Sequence, residues 1–96
     1  MALKLFVWTH VLVSYDAGIM FALAEDEEQA RRVIIEDKAS EYPTNEKLRA
    51  AYSYARYQQW VNAGRDTDDG NRMWIDLQST PDVYDTPVGF YMWGGD

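Results

Sequence analysis

The sequence contains no cysteine, which excludes a disulfide, a thiolate metal site and a thiol nucleophile. Histidine occurs once, as His10, and zinc needs about four nitrogen or sulfur ligands. The segment "DTDDGN", which begins at Asp66, fails the EF-hand pattern at its fifth position, Gly70, and its twelfth, Leu77. P-loop, Rossmann and nucleophile-elbow patterns are missing as well. We therefore predict a protein that is not an enzyme and has no catalytic residue, cofactor or metal ligand.

Long apolar runs and basic residues are also scarce. The longest uncharged stretch, Leu5 to Tyr15, is too short for a membrane-spanning helix, and no secretory leader is recognisable. The absence of thiols suits a reducing cytoplasm, so we expect a soluble intracellular protein without a membrane partner. Nine Lys and Arg against 16 Asp and Glu give a net charge of −7. This balance argues against direct nucleic-acid binding, which depends on basic residues, and favours a partner with a basic surface.

The residues that are present predict one α+β domain over residues 1–96. Hydrophobic residues make up 47% of the chain and aromatic residues 15%, enough for a packed core. The patterns predict strands at Leu3–Val13 and Gly18–Ala24, a helix capped by Asp26, a helix from Thr44 or Asn45 to about Ala63, and strands at Met73–Leu77 and Val88–Trp93. The order β-β-α-α-β-β favours an antiparallel or mixed sheet with two helices packed on one face.

The first predicted strand is apolar on both faces. If the helices cover Leu5 and Val7, then Phe6 and Trp8 face away from them, and the reverse assignment stays open. The second predicted helix carries two apolar stripes, which is typical of a helix with two neighbours. The candidate aromatic interface comprises Phe6, Trp8, Tyr54, Tyr57, Tyr91 and Trp93. Three covers for such a face remain open: the segment 78–87, a second copy in a homodimer, or a different protein.

Acidic residues concentrate around the first predicted helix and in one later loop. The candidate partner-binding acids are Glu25, Asp26, Glu27, Glu28, Glu36, Asp37, Glu41, Asp66, Asp68 and Asp69. After subtraction of three bases, the helical segment carries about four net negative charges over about 25 Å. Duplex DNA is denser, at one charge per ~1.7 Å, so a DNA mimic requires the later acids to lie beside the helix. The alternative is a solvated helix face with the pairs Glu27–Arg31 and Glu28–Arg32.

The chain resembles the small acidic proteins encoded by phages and mobile elements, including anti-CRISPR proteins. The resemblance is carried by the short, cysteine-free chain, the hairpin followed by "AEDEEQARRVI", and the aromatic C-terminal "GFYMWGG". It covers the whole chain in general type and includes no diagnostic motif. It implies a stoichiometric inhibitor that binds a bacterial CRISPR–Cas complex in the host cytoplasm and blocks its DNA-binding surface. The alternative function is a homodimeric structural or accessory domain that associates through its aromatic sheet face.

Overall fold

The chain folds into an α+β structure with an antiparallel sheet, as predicted. The computed structural model describes residues 2–12, 18–89 and 91. Within them lie the strands β1 (Lys4–Val11), β2 (Gly18–Ala24) and β3 (Asp82–Tyr84) and the helices α1 (Glu27–Ala39), α2 (Glu46–Ala51), α3 (Tyr54–Asn62) and α4 (Arg72–Asp76). The strands are arranged β2-β1-β3, with β1 in the centre. No helix in this described part of the chain has the length and apolar character needed to cross a bilayer.

Each helix begins at a side chain that accepts a hydrogen bond from the backbone N–H three residues later. Asp26 accepts from Gln29 at 2.7 Å, which confirms the predicted cap of α1. The other three caps are Asn45, Ser53 and Asn71, at 3.0, 3.3 and 2.9 Å. Such caps satisfy backbone donors that have no partner in the first turn of a helix.

The predicted continuous helix from Asn45 to Ala63 is wrong, because the chain breaks between α2 and α3. Ser53 is extended, with ψ of 158°, and its hydroxyl caps α3. Immediately before it, the Tyr52 ring stacks on Tyr42 with centroids 5.6 Å apart, and the Lys38 Nζ lies 5.5 Å from each ring. These contacts hold the end of α2 against the end of α1.

The C-terminal strands also differ from the prediction. Met73–Leu77 was predicted as a strand, but α4 occupies this region, because Asn71 caps it and Trp74 is buried among aromatic side chains. The strand that pairs with β1 on the side opposite β2 is β3, which lies within a segment predicted as turns. Of the predicted strand Val88–Trp93, residues 88, 89 and 91 are not in a strand, and the others lie outside the described residues.

The helices cover the face of the sheet that carries Phe6 and Trp8, not the face that carries Leu5 and Val7. Phe6 and Trp8 are 4% and 1% exposed, and the indole Nε1 of Trp8 donates to the Ser79 carbonyl at 2.9 Å. This face is favoured because a buried indole N–H needs an acceptor, and the chain after α4 supplies one. A bulge between Thr9 and Val11 shifts the register, so that Val11 joins the same core.

The core continues from the sheet into an aromatic cluster formed by α3 and α4. Tyr57 contacts both Trp60 and Trp74, with ring centroids 6.0 and 6.1 Å apart, and Gln78 donates to its hydroxyl at 3.0 Å. Tyr57 is only 3% exposed. The prediction that Phe6, Trp8 and Tyr57 belong to an exposed aromatic interface is therefore wrong, because all three side chains are buried in the core.

Candidate interaction surface

The sheet face opposite the helices is partly covered by the chain that follows β3. Val88 and Gly89 line a cavity of about 230 Å³ together with side chains from both hairpin strands, Leu5, Val7, Ile19 and Phe21. Val7 is 1% exposed, so it is buried on this face. The segment 78–87, one of the three predicted covers, instead contributes β3 to the edge of the sheet. Val88 and Gly89, just after it, lie over the outer face.

Beyond this cover, the outer face of β2 remains apolar and exposed. Phe21 is 62% exposed and Leu23 is 64% exposed. In register, they stand opposite Val7 and Leu5 on β1. Large apolar side chains that lie close together at a surface are typical of a binding site.

A groove of about 460 Å³ runs between β2 and α1, and we call it the β2–α1 groove. Phe21 and Leu23 lie on its β2 side, and Val33, Ile34 and Asp37 lie on its α1 side. Val33 is 39% exposed. The groove is therefore an apolar channel in which Asp37 is the one charged side chain among those that line it.

The acids of α1 differ in how far their charge is compensated by bases of the same helical segment. Arg31 pairs with Glu27 at 2.8 Å, which confirms one predicted pair. Arg32 pairs with Glu36 at 3.0 Å and not with Glu28, and Lys38 pairs with Glu41 at 2.9 Å. The hydrogen bond from Lys38 to Glu41 raises the pKa of that lysine. All three bases of the segment are thus engaged, and Asp37 has no ion pair among the described residues.

Glu28 lies at the contact between α1 and α3. It accepts a hydrogen bond from the Tyr54 hydroxyl at 2.5 Å and lies 3.6 Å from Arg31. Burial, together with the bonded Glu28 carboxylate, raises the pKa of Tyr54 to about 12. Tyr54 is half-buried and stacks on Tyr57 at 5.6 Å, so this member of the predicted aromatic interface chiefly connects two helices.

The acidic loop that follows α3 is held by different contacts from those of α1. The Asp66 carbonyl accepts from the Trp60 indole at 2.6 Å, and its carboxylate accepts from the Asp68 backbone N–H at 2.9 Å. Asp66, Asp68 and Asp69 are exposed. The described contacts do not join these acids to those of α1. In the described part of the chain, no three His, Cys, Asp or Glu side chains are grouped closely enough to hold a metal ion.

The exposed apolar surface consists mainly of aliphatic residues that the aromatic pattern did not single out. Tyr91 is 83% exposed, and Trp93 lies outside the described residues. Phe21 and Leu23 were detectable as apolar residues that alternate with Met20 and Ala22 along β2, but nothing in the sequence decides which of these two sets is exposed. No protein-family model, curated protein or solved structure matches the chain. The proposal that the chain binds a partner therefore rests on the geometry and charge of this surface.

Proposed function

We propose that the chain is a non-enzymatic inhibitor that binds a basic surface of a bacterial CRISPR–Cas complex and competes there with DNA. It would act in the cytoplasm of the bacterial host. The choice of this partner class rests on the resemblance to small phage-encoded proteins. The binding role is supported chiefly by the exposed apolar side chains of Phe21 and Leu23 beside an acidic helix.

The apolar side chains supply affinity in this proposal. Full burial of a Phe or Leu side chain contributes about 1.5–3 kcal/mol. Because Phe21 and Leu23 are both almost two-thirds exposed, covering them would contribute about 2–4 kcal/mol before the costs of association. That amount suffices for an anchor but not for a tight complex, so further contacts from the partner are required.

The charge of α1 supplies orientation and speed of association. Because Arg31, Arg32 and Lys38 are bound to acids of their own segment, they do not present free positive charge to a partner. The segment 25–41 carries seven acids and three bases and so has a net charge of −4. Complementary charge accelerates encounter with a basic surface and excludes acidic partners.

The proposal is tested by expressing the chain in bacterial strains that each carry one active type of CRISPR–Cas system. We expect it to restore plaque formation by a phage that the system targets, and the purified chain to displace DNA from the corresponding effector complex. If no type of system is inhibited, the inhibitor proposal is wrong.

A pair of charge variants tests the role of the acidic helix. E36Q/D37N removes two negative charges from α1, and the matched control D82N/D85N removes two at β3, the opposite edge of the described sheet. We expect the first variant to associate more slowly with the effector complex and to show a weaker salt dependence, while the control stays close to the unmodified chain. Equal effects of the two variants would show that net charge alone matters and that α1 is not the contact surface.

Self-association is the second candidate function, because the same exposed Phe21 and Leu23 would also suit a homodimer. Sedimentation velocity over a range of protein concentrations tests it. A dimer that dissociates in Phe21→Ser, but persists in the control Leu48→Ser on α2, would favour this candidate. A monomer at every concentration would exclude it.

A further inference from the structure

The backbone edge of β2 lies along the β2–α1 groove. β1 occupies one side of β2, and no other described strand pairs with its opposite side. An edge strand presents N–H and C=O groups that can pair with an added strand. Protective features of edge strands, such as charged residues or proline, are missing from β2, whose sequence is GIMFALA. The edge is thus chemically suited to accept an extended segment.

The side chains that line the groove indicate what such a segment should carry. Phe21, Leu23 and Val33 provide apolar contacts on both walls. Asp37 adds a single exposed carboxylate, whose neighbouring bases are engaged with other acids. An incoming segment that places a lysine or arginine beside Asp37 would compensate that charge, while its apolar residues cover the walls.

We propose that the β2–α1 groove binds an extended segment of the partner protein as an additional strand, with apolar residues and one lysine or arginine that pairs with Asp37. This inference rests on the proposed function and specifies how the partner docks. Backbone hydrogen bonds to β2 would give affinity, and the pair with Asp37 would give specificity and register.

A second copy of the chain fits the groove less well than a basic segment does. α1 packs against β2, so pairing of two β2 edges would place two α1 helices next to each other. Each of these helical segments has a net charge of −4, and each carries Asp37 at the groove. The resulting repulsion opposes self-pairing, whereas the same charge attracts a cationic segment.

The experiment uses blocked synthetic peptides of about eight residues, long enough to pair with the whole of β2. One peptide alternates valine and threonine around a central lysine, a second has glutamate in place of the lysine, and a third has proline in place of the valines. Each is titrated into the isotope-labelled full chain while backbone amide resonances are recorded. We expect the lysine peptide to cause saturable shifts in residues 18–24 and 33–37, and to bind about ten-fold more tightly than the glutamate peptide at low salt.

Two controls separate strand addition from non-specific attraction. The proline peptide should bind far more weakly, because each proline lacks the backbone N–H that an added strand donates to β2 and its fixed backbone disfavours an extended strand. Asp37→Asn should abolish most of the difference between the lysine and glutamate peptides, whereas Asp85→Asn should leave it unchanged. Shifts confined to other regions, equal binding of the two charged peptides, or no saturable binding would each overturn the inference. A dimer found by sedimentation in the absence of peptide, with the β2 amides protected from hydrogen exchange, would assign the groove to a second copy. That result would overturn the inference as well.

The outcomes for the groove and for the proposed function are separable. Peptide binding without inhibition of any CRISPR–Cas system would overturn the proposed function and support the groove as a strand-binding site. Inhibition without peptide binding would support the function and overturn the groove as its docking site.

Discussion

Replacing Arg31 by methionine should destabilise the fold far more than the same change at the neighbouring Arg32. Both arginines lie on α1 and both form an ion pair across one helical turn, Arg31 with Glu27 and Arg32 with Glu36. Their surroundings differ, because the Arg31 side chain is 12% exposed and that of Arg32 is 60% exposed. Methionine retains much of the aliphatic length but removes the charge and the donors.

The expected loss follows mainly from three of the contacts that Arg31 makes. Its Nε donates to the Leu77 carbonyl at 2.7 Å, and a hydrogen bond from a charged group contributes about 1.5–3 kcal/mol. Its guanidinium lies 5.8 Å from the Trp8 ring centroid, which adds about 0.5–2 kcal/mol. The pair with Glu27 adds a few tenths of a kcal/mol. Because these contacts share one side chain and do not add fully, we expect a loss of about 2–4 kcal/mol.

Urea unfolding followed by tryptophan fluorescence measures this loss. With an m-value of about 1 kcal/mol/M, the midpoint of Arg31→Met should fall by about 2–4 M, with no change in m. Arg32→Met should shift the midpoint by about 1 M or less, because its ion pair with Glu36 and its contact with the Tyr54 ring, 5.7 Å away, are both made by a side chain that is 60% exposed. Equal shifts in the two variants would refute the conclusion that Arg31 connects α1 to β1 and to the chain after α4.

Two further predictions concern a glycine and a tyrosine. Gly70→Ala should destabilise the protein by about 1–3 kcal/mol in the same urea assay, because the added Cβ would lie 2.7 Å from the Trp60 ring. The control is Gly89→Ala, whose added Cβ meets nothing within 4 Å, and it should leave the midpoint unchanged. Tyr54, with its pKa raised from 10.0 to about 12, should remain protonated when an ordinary tyrosine ionises. The folded state then holds a proton that the unfolded state releases, so stability should fall as the pH rises from about 10 to about 12. In Tyr54→Phe, both the absorbance step of tyrosinate near pH 12 and this fall in stability should disappear. An unchanged profile would contradict the assignment.

The elements near the N-terminus were predictable because local signals there agree with tertiary packing. The bounds of β2 match the prediction, and Asp26 caps α1 as its spacing with Gln29 indicates. α4 was not predictable in the same way, because the apolar run Met73–Leu77 is too short for periodicity to separate helix from strand. Burial of Trp74 against Trp60 decides that case, and this contact is invisible to a local pattern.

The surface was less predictable than the fold, because the direction of each strand face depends on distant partners. The alternation of residues along β1 does not by itself decide whether Trp8 or Leu5 faces the helices. The acceptor that satisfies Trp8, the Ser79 carbonyl, lies 71 residues away in sequence. Of the two predicted ion pairs of α1, only Glu27–Arg31 forms, for a similar reason. Glu28 accepts a hydrogen bond from Tyr54 on another helix, and Arg32 pairs with Glu36.

The acidity of the chain and the edge of β2 that no described strand pairs are best understood together. An uncharged, proline-free edge such as β2 invites pairing with any other edge, including that of an identical chain. Many proteins protect such an edge with a charge on the strand itself, whereas here the charge lies beside it, on α1. Negative charge at that position repels copies of the same chain and acidic segments of other proteins, but it leaves the backbone of β2 accessible to a cationic segment. In the proposed docking mode, the acids of α1 need not imitate DNA to give selectivity, because their position beside the β2 edge discriminates between partners by the sign of their charge.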